Sequence, residues 1–379
     1  MTPKGYWLRA IWSLCLLAAY GCGPPSIVPG ETSHGRLSND QGYWLLELDG
    51  TPEQRGSAMG TLLKKQIQWV LPRYLRETLR TSTPEGYPLQ IVKKLESSIP
   101  TPHLRQLDAV AKAAGVERDY LLIANLAPEV WAGLACSCLA ATDNKSADGK
   151  PILARNLDWF GGSVLTELGM LVVEHGPKRS FASVSYPGLI GVVSGMNESG
   201  LSGANLVVLG EDATPVEGVP VMFALRTILE TSDTTEQATE MLRGLKRTVP
   251  QNYTFADVNK AVVLETWTTR FRRREPEQGF VAVANLFDED KEIRPNSRFK
   301  KMTRHGLKKT LDLETLKGAL QEVAMGDMNV QSVIFQPNER LVHFSTRARP
   351  AAKGPFQKAD LSVIFSSNTK KPNPRSKTP

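Results

Sequence analysis

The stretch that decides the fold is ACSCLAATDNKSADGKPILARNLDWF, residues 135–160. Two segments typical of β-strands flank the polar loop NKSADG, whose Asp-Gly pair favours a tight turn between antiparallel strands. The sequence therefore predicts a β-hairpin. With the loop centred on its Ser-Ala pair, Cys136 is predicted to lie opposite Leu157, and Cys138 opposite Arg155.

The predicted hairpin brings a thiol, a guanidinium and a carboxylate together at one end, from Cys136, Arg155 and Asp158. A thiol with a pKa of about 8.5 needs a base or a positive field before it acts as a nucleophile. Arg155 and Asp158 are three residues apart and point to opposite faces of a regular strand. A bulge or a strand end is therefore needed to bring both to the thiol. The alternative is a small buried cysteine on a core strand, beside a structural ion pair.

The rest of the chain alternates between helical and strand-like segments. Apolar residues recur at helical spacing in residues 51–79, 101–132, 220–247 and 297–323. This mixture favours an α+β fold with mainly antiparallel strands over a doubly wound parallel sheet. Strands are predicted at 43–49, 136–142, 151–159, 166–174, 180–194, 200–208, 260–267, 280–286, 330–336 and 340–346.

Most of the excess positive charge lies at the two ends of the chain. The chain has 46 Lys+Arg and 39 Asp+Glu, a formal net charge of +7. Two positive charges in residues 1–22 and four in 366–379 leave about +1 between them, which argues against a nucleic-acid partner. The basic stretches at 270–274 and 300–309 are predicted as a solvated hairpin tip and a polar helix face. At 41% hydrophobic and 22% charged residues, the composition excludes collagen-like, wholly disordered and multi-span membrane proteins.

Residues 1–22 have the pattern of an export signal, with a positive leader, a short apolar run and a small residue before Cys22. The apolar run is too short to span a bilayer comfortably. The pattern resembles a bacterial lipoprotein signal, so we expect export and membrane attachment through a lipidated Cys22. A secretory signal cut nearby is the alternative. Residues 23–40 are predicted to be a polar tether, and residues 366–379 a disordered basic tail.

Motifs of several other active-site classes are missing from the sequence. There is no glycine-rich phosphate loop, Gly-x-Ser-x-Gly elbow or HExxH motif. The histidines lack metal-ligand spacing, so no metal and no other cofactor is predicted. A Cys–His hydrolase that uses His343 or His175 remains an alternative without a local motif.

Taken together, these features resemble the N-terminal-nucleophile (Ntn) cysteine amidohydrolases, which include choloylglycine hydrolases, penicillin V acylases and acid ceramidase-like enzymes. The most similar branch is that of the acyl-CoA:6-aminopenicillanic acid acyltransferases. The resemblance rests on Cys-Ser-Cys-Leu-Ala followed by Gly-Lys-Pro-Ile-Leu-Ala-Arg-Asn-Leu-Asp-Trp, and on a Gly-x-x-x-x-Arg-Gly helix start at 50–56. It implies a four-layer αββα sandwich of mainly antiparallel sheets. It also implies a helical pro-segment at 41–135 and a catalytic domain at 136–365.

The resemblance also implies roles for six residues. These are the nucleophile, an arginine near its thiolate, an aspartate that holds the α-amine, an asparagine that binds the oxyanion together with either a backbone N–H or a second asparagine, and a second arginine. In that order they are Cys136, Arg155, Asp158, Asn285 with Asn205, and Arg298.

The implied mechanism requires cleavage between Ala135 and Cys136. Cleavage frees an α-amine, which titrates at about pH 8 and can take the thiol's proton without a histidine. The pro-segment would then stay packed as the smaller subunit. The implied partner is a small-molecule N-acyl amide or acyl donor; water would complete hydrolysis, and an amine would complete transfer. The oligomeric state is left open.

Two departures and one alternative accompany this interpretation. Ala135 stands where related enzymes often have glycine, and Cys138 is a rival nucleophile. Both Cys136 and Cys138 are predicted to be free thiols, because a disulfide between residues i and i+2 of a strand would be strained. The alternative from another class is an unprocessed, inactive surface lipoprotein that uses the same fold as a binding module.

Overall fold

The computed structural model of the chain describes residues 23–79, 87–130, 135–208, 215–292 and 296–367. The predicted signal with Cys22, and the tail from residue 368 onward, lie outside these ranges. None of the described helices combines the length and the apolarity that crossing a bilayer requires.

Twelve α-helices are found within the described ranges, and nine of them lie in the helical segments predicted from the sequence. Local caps define their starts: the Thr51 side chain accepts from the Gln54 amide, and that of Asp312 from the Thr315 amide. The helices are α1 (Pro52–Leu62), α2 (Lys64–Leu79), α3 (Tyr87–Leu95), α4 (Thr101–Ala114), α5 (Arg118–Asn125), α6 (Ala127–Val130), α7 (Gly162–Leu165), α8 (Val221–Thr231), α9 (Thr235–Gly244), α10 (Ser297–Lys308), α11 (Leu313–Val323) and α12 (Leu361–Ser367). The other three, α3, α7 and α12, were not predicted.

The strands of the described residues form two sheets. They are β1 (Gly30–Thr32), β2 (Gly35–Ser38), β3 (Leu45–Leu48), β4 (Ala135–Ala141), β5 (Ile152–Asp158), β6 (Met170–His175), β7 (Ser180–Ser185), β8 (Ser194–Asn197), β9 (Ser202–Val207), β10 (Gln251–Ala256), β11 (Ala261–Thr266), β12 (Phe271–Arg274), β13 (Phe280–Val283), β14 (Asn329–Gln336), β15 (Leu341–Ser345) and β16 (Gln357–Asp360). Ten of them pair in the order β1-β2-β3-β6-β7-β8-β9-β10-β11-β12, and six in the order β13-β4-β5-β14-β15-β16. Pairing is antiparallel except between β3 and β6, which are parallel.

Helices cover the outer face of each sheet, and the inner faces meet. Leu229 of α8 packs in one buried cluster with Phe255 of the ten-stranded sheet. Leu320 of α11 packs in another with Leu139 of the six-stranded sheet. A third, larger cluster joins both inner faces and also takes in apolar residues of α2. The predicted α+β fold, a four-layer αββα sandwich, is confirmed.

The Gly-x-x-x-x-Arg-Gly motif at 50–56 has a structural explanation. Arg55 donates from Nε to Glu174 Oε2 at 2.9 Å and from Nη1 to the Gly50 carbonyl at 2.6 Å. Gly56 lets α1 approach α4 closely, because a Cβ atom there would lie 2.3 Å from the Gln106 carbonyl oxygen. The motif therefore connects the N-terminal helices to the ten-stranded sheet.

Two sequence predictions about the periphery are wrong. Residues 30–38 form β1 and β2 rather than part of a tether, since Leu37 is only 2% exposed and pairs within the sheet. Ser366 belongs to α12 rather than to a tail. By contrast, the strand predicted at 43–49 within the segment 41–135 is confirmed as β3, which pairs with β6.

The strand predictions also missed or merged some elements. The stretch at 270–274 contains the edge strand β12, whose Arg274 pairs with Glu265 and Asp288, and is not a solvated tip. The predicted strand at 180–194 is two strands joined by an irregular connection. Strand β10 was missed because QNYTFA carries polar residues although the whole strand is buried.

Candidate active site

The hairpin formed by β4 and β5 has the register predicted from the sequence. Cys136 pairs with Leu157 and Cys138 with Arg155, which confirms the prediction. Side chains directly opposite each other on paired strands share a face. The thiols and the Arg155 side chain therefore lie together on the inner face of the six-stranded sheet.

A fully buried arginine contacts the sulfur of Cys136. Arg155 Nη2 lies 3.4 Å from Cys136 Sγ and 3.2 Å from the carbonyl oxygen of Asn205. Its Nη1 donates to Ser194 Oγ at 2.8 Å and to Gln331 Oε1 at 3.2 Å. All of these partners are neutral, and Arg155 makes no ion pair with any residue that the structure describes. The positive charge therefore faces the thiol without a neutralising carboxylate in contact.

Burial keeps both thiols protonated in the intact chain. Desolvation raises the pKa of Cys136, although Arg155 and Arg298 act in the opposite direction. Desolvation raises the pKa of Cys138 to about 12. Both are free cysteines, as predicted. Cys136 is the better candidate nucleophile, and it requires a base.

Two side chains hold the backbone of Cys136. Its amide donates to Asn285 Oδ1 at 2.7 Å, and its carbonyl accepts from Arg298 Nη1 at 2.7 Å. Arg298 Nη2 also donates to Asn285 Oδ1 at 2.8 Å, and Asn285 Nδ2 donates to the Val207 carbonyl at 2.6 Å. In the intact chain this nitrogen is a peptide amide, and it marks the position that the α-amine would take after cleavage.

Asp158 lies on the other side of the strand from Arg155. It is the last residue of β5 and pairs with Ala135. Its Oδ1 accepts from the Met325 amide at 3.2 Å, and its Oδ2 lies 3.7 Å from Arg298 Nη1. Oδ2 is buried and makes no hydrogen bond within the described ranges. Burial raises the pKa of Asp158, although the Met325 amide and Arg298 oppose this.

The sequence predicted that a bulge or a strand end would bring Arg155 and Asp158 to the same thiol. In the structure the two side chains point to opposite faces of β5. Arg155 contacts the Cys136 sulfur, whereas Asp158 and Arg298 lie beside the backbone at the end of the strand. Strand β5 itself is regular. The pairing between β14 and β5 shifts by one residue, and the extra residue lies in β14, between Asn329 and Gln331.

The structure does not support the role predicted for Asn205. On β9, Asn205 pairs with Tyr253 of β10, which stacks with Phe255 in the cluster beneath α8. The Asn205 side chain therefore shares that outer face, and its Nδ2 is buried without a hydrogen bond in the described part of the chain. Only its backbone carbonyl reaches Arg155.

Ser194 and Gln331 are site residues that the sequence analysis missed. They hold the Arg155 guanidinium, and Gln331 also donates from Nε2 to the Val184 carbonyl at 2.9 Å. The available signal was a glutamine in the strand NVQSVIFQ, all of whose residues are buried except the last. A buried polar side chain on such a strand needs a partner.

Both candidate histidines bond to residues other than Cys136, so the structure gives no support to the Cys–His alternative. His343 lies on β15, separated from β4 by two strands, and bonds to Gln336 at 2.9 Å. Burial lowers the pKa of His343 to about 4. His175 bonds to Ser180 Oγ at 3.2 Å. Among the described residues, no group of three or more His, Cys, Asp or Glu side chains is arranged to hold a metal ion.

An apolar cavity lies beside the hairpin. Leu157, the cross-strand neighbour of Cys136, lines it, whereas Cys136 itself does not. Trp159, Tyr186 and Val193 also line it. The N-terminal helices supply the opposite wall through Val70, Leu71, Tyr74, Leu121, Ala124 and Asn125.

A family model and several curated proteins match the chain. Residues 144–315 match the family described as acyl-coenzyme A:6-aminopenicillanic acid acyl-transferase, which confirms the resemblance seen in the sequence. An uncharacterized protein of Archaeoglobus fulgidus is 25% identical over 294 residues, covering 66% of this chain and 48% of that protein. Protein dcd1A of Dictyostelium discoideum is 22% identical over 379 residues, covering 86% and 84%. The chain thus spans about half the length of the first of these relatives.

Solved structures with partial similarity are also known. An N-acylethanolamine-hydrolyzing acid amidase ortholog of Caenorhabditis elegans has a TM-score of 0.43 and 19% identity, covering 54% of this chain and 93% of that one. A variant of conjugated bile acid hydrolase from Clostridium perfringens has a TM-score of 0.43 and 13% identity, covering 60% and 93%. Penicillin V acylase from Agrobacterium tumefaciens has a TM-score of 0.42 and 14% identity, covering 56% and 83%.

Proposed function

We propose that this chain, a relative of the acyl-coenzyme A:6-aminopenicillanic acid acyl-transferases, is an acyl-transfer enzyme that acts on amide bonds through Cys136. The proposal rests on three contacts made by Cys136 and its cross-strand neighbour. Its sulfur contacts the buried Arg155, its backbone nitrogen bonds to Asn285, and its cross-strand neighbour Leu157 lines an apolar cavity.

The first step of the proposal is cleavage between Ala135 and Cys136. While the chain is intact, the Cys136 nitrogen is an amide and cannot act as a base. Attack of the thiol on the Ala135 carbonyl carbon transfers the acyl group from nitrogen to sulfur, and the thiol proton goes to nitrogen. Water then hydrolyses the thioester, which leaves a carboxylate on Ala135 and a free α-amine on Cys136.

The second step is attack on the substrate. The new amine takes the thiol proton, and Asp158 Oδ2, a buried acceptor beside the strand end, holds the amine. Arg155 stabilises the thiolate, which attacks the amide carbonyl. Asn285 Nδ2 then donates to the oxyanion, and the amine passes its proton to the leaving nitrogen. The resulting thioester on Cys136 is released to water in hydrolysis, or to an amine in transfer.

The cavity suggests the substrate class. Its walls are formed mostly by apolar side chains, as is usual for small-molecule sites. We therefore propose N-acyl amides whose acyl part is an apolar chain or ring. Both cleavage products would be needed for this site, because the N-terminal helices form one wall. Pairing of β3 with β6 would keep the two products together.

Intact mass and turnover test this proposal. The purified wild type is expected to contain a fragment that begins at Cys136, and to release acid from N-dodecanoylglycine or penicillin V. Cys136→Ala should remain one chain without turnover. Cys138→Ala is the matched control, since Cys138 is equally buried on the same strand and should retain both activities.

Two outcomes would contradict the proposal. Loss of cleavage and turnover in Cys138→Ala, with both retained in Cys136→Ala, would show that the nucleophile is misassigned. An uncut wild-type chain that binds dodecanoate but releases no product would instead support the binding-module alternative.

We also propose that the protein is exported and anchored through Cys22, on the sequence pattern of residues 1–22. Incorporation of an alkyne-labelled fatty acid into the expressed protein tests this. Labelling should disappear in Cys22→Ala; unchanged labelling in that variant would contradict the assignment of the lipidated residue.

A further inference from the structure

One wall of the apolar cavity is an irregular segment that regular pairing does not support. Residues 186–193 connect β7 to β8, and Tyr186, Gly188 and Leu189 of this connection line the cavity. Gly188 has a φ of +86°, a conformation that favours glycine. The shape of this wall therefore depends on what holds the connection from outside.

Asn125, at the end of α5, holds this connection from the N-terminal segment. Its Oδ1 accepts from the amides of Ile190 at 2.9 Å and Gly191 at 3.1 Å. Its Nδ2 donates to the carbonyls of Gly188 at 3.0 Å and Leu121 at 2.9 Å. An asparagine side chain has two donors and two acceptor sites, so every polar function of this side chain is used. Asn125 is 1% exposed and lines the cavity itself.

A second residue fixes the same connection from the opposite side. Arg226 of α8 donates from Nη1 to the Ile190 carbonyl at 2.8 Å. Arg226 is itself held by Glu174 and Glu230. The Ile190 peptide groups are thus held between the N-terminal segment and α8, so losing the Asn125 side chain would release one of two anchors.

We propose that Asn125 is a positioning residue for acyl-chain recognition. It holds residues 188–191, of which Gly188 and Leu189 line the cavity, and so sets the preference for long over short acyl groups. This inference rests on the proposed function. Once released, the connection would no longer present the same surface to the distal part of an acyl chain. One methylene in an apolar pocket is worth about tenfold or more in selectivity, so a displaced wall should be measurable.

The chain contains a matched control. Asn197 is fully buried and makes the same four-bond pattern. Its Nδ2 donates to the carbonyls of Leu229 at 2.9 Å and Ser232 at 2.7 Å, and its Oδ1 accepts from the amides of Ser199 at 3.1 Å and Leu201 at 3.0 Å. Neither Asn197 nor any of these partners lines the cavity.

The experiment compares Asn125→Ala with Asn197→Ala, using N-dodecanoylglycine and N-butanoylglycine as substrates. Both variants lose four equivalent hydrogen bonds and should lose similar thermal stability. In Asn125→Ala, the ratio of kcat/KM for dodecanoyl over butanoyl should fall about tenfold, mainly through KM. In Asn197→Ala it should stay within about twofold. An unchanged ratio in Asn125→Ala, or an equal fall in both variants, overturns the inference.

A second measurement does not depend on turnover. Hydrogen exchange at the Ile190 and Gly191 amides should accelerate in Asn125→Ala but not in Asn197→Ala. Asn125→Asp keeps the acceptor atom and should keep these amides protected, which also covers the case in which the alanine variant does not fold. If the wild type hydrolyses neither acylglycine nor penicillin V, the proposed function fails. Unchanged exchange at Ile190 and Gly191 in Asn125→Ala would overturn the positioning role by itself.

Discussion

Two fully buried arginines, Arg155 and Arg226, occupy electrostatically different surroundings. Arg226 bonds to the carboxylates of Glu174 at 2.7 Å and Glu230 at 2.9 Å. Arg155 contacts a sulfur, a hydroxyl, an amide oxygen and a carbonyl oxygen, and has no carboxylate partner in the described part of the chain.

The difference in partners indicates that the charge of Arg226 is structural and that the charge of Arg155 is functional. A carboxylate in contact offsets the desolvation cost of a buried guanidinium, and removing one partner then leaves the other uncompensated. Neutral dipoles offset that cost less completely. The positive potential of Arg155 therefore remains available to the Cys136 sulfur, which becomes negative only during the reaction. We infer that Arg226 stabilises the folded state, whereas Arg155 stabilises the Cys136 thiolate during the reaction.

The largest expected effect is on stability. Arg226→Met should lower the free energy of unfolding by about 3–5 kcal/mol, because Glu230 loses its arginine partner and Glu174 keeps only Arg55. Urea unfolding in a Cys136→Ala background, where the chain stays in one piece, measures this. Arg179→Met is the control, since Arg179 forms a partly exposed pair with Asp233 and should cost less than about 1 kcal/mol. Equal losses of stability in the two variants would contradict the structural role assigned to Arg226.

The next effect is on activity. Arg155→Met should lower kcat/KM by about 10²–10³, while the free energy of unfolding falls less than in Arg226→Met, because only neutral acceptors and no carboxylate lose their partner. Alkylation by iodoacetamide gives a second readout. The pKa of the Cys136 thiol should rise in this variant, so labelling at a given pH should become slower. A stability loss as large as that of Arg226→Met would contradict the assignment of Arg155.

Two carboxyl groups extend the comparison. Burial opposes ionisation of Glu230, but Arg226 and His103 outweigh it and lower its pKa to about 2. Burial raises the pKa of Glu129 to about 7, although the Val221 amide and the Thr248 hydroxyl oppose this. Pairing with a cation thus decides the direction of the shift.

The smallest effect is the pH dependence that follows from Glu129. The folded state binds its proton more tightly than the unfolded chain, so the stability contribution is complete below about pH 4.5. It is lost as the pH rises to about 7, by up to about 3 kcal/mol. Unfolding at pH 5 and pH 8 in the Cys136→Ala background should show this slope, and adding Glu129→Gln should flatten it. The same slope in both proteins would assign the titration to another group.

Much of the candidate site was accessible from local sequence. A short turn sets the register of a hairpin, so residues 135–160 by themselves placed Cys136 opposite Leu157. Asn285 and Arg298 were named through a family resemblance, and the structure brings both to the backbone of Cys136. Helix caps and apolar periodicity likewise depend on neighbours within a few residues, which is why most of the helices were predicted.

The remaining features depend on pairing between distant segments. The outward direction of Asn205 follows from its register with Tyr253. The partners of Arg155 come from β8, β9 and β14, and the anchor of residues 188–191 comes from α5. Short-range patterns in residues 135–160 indicate which groups can react and the hairpin that joins them. Only the packing of the two sheets decided which buried charge meets a carboxylate and which meets a thiol, because that depends on contacts between residues far apart in the chain.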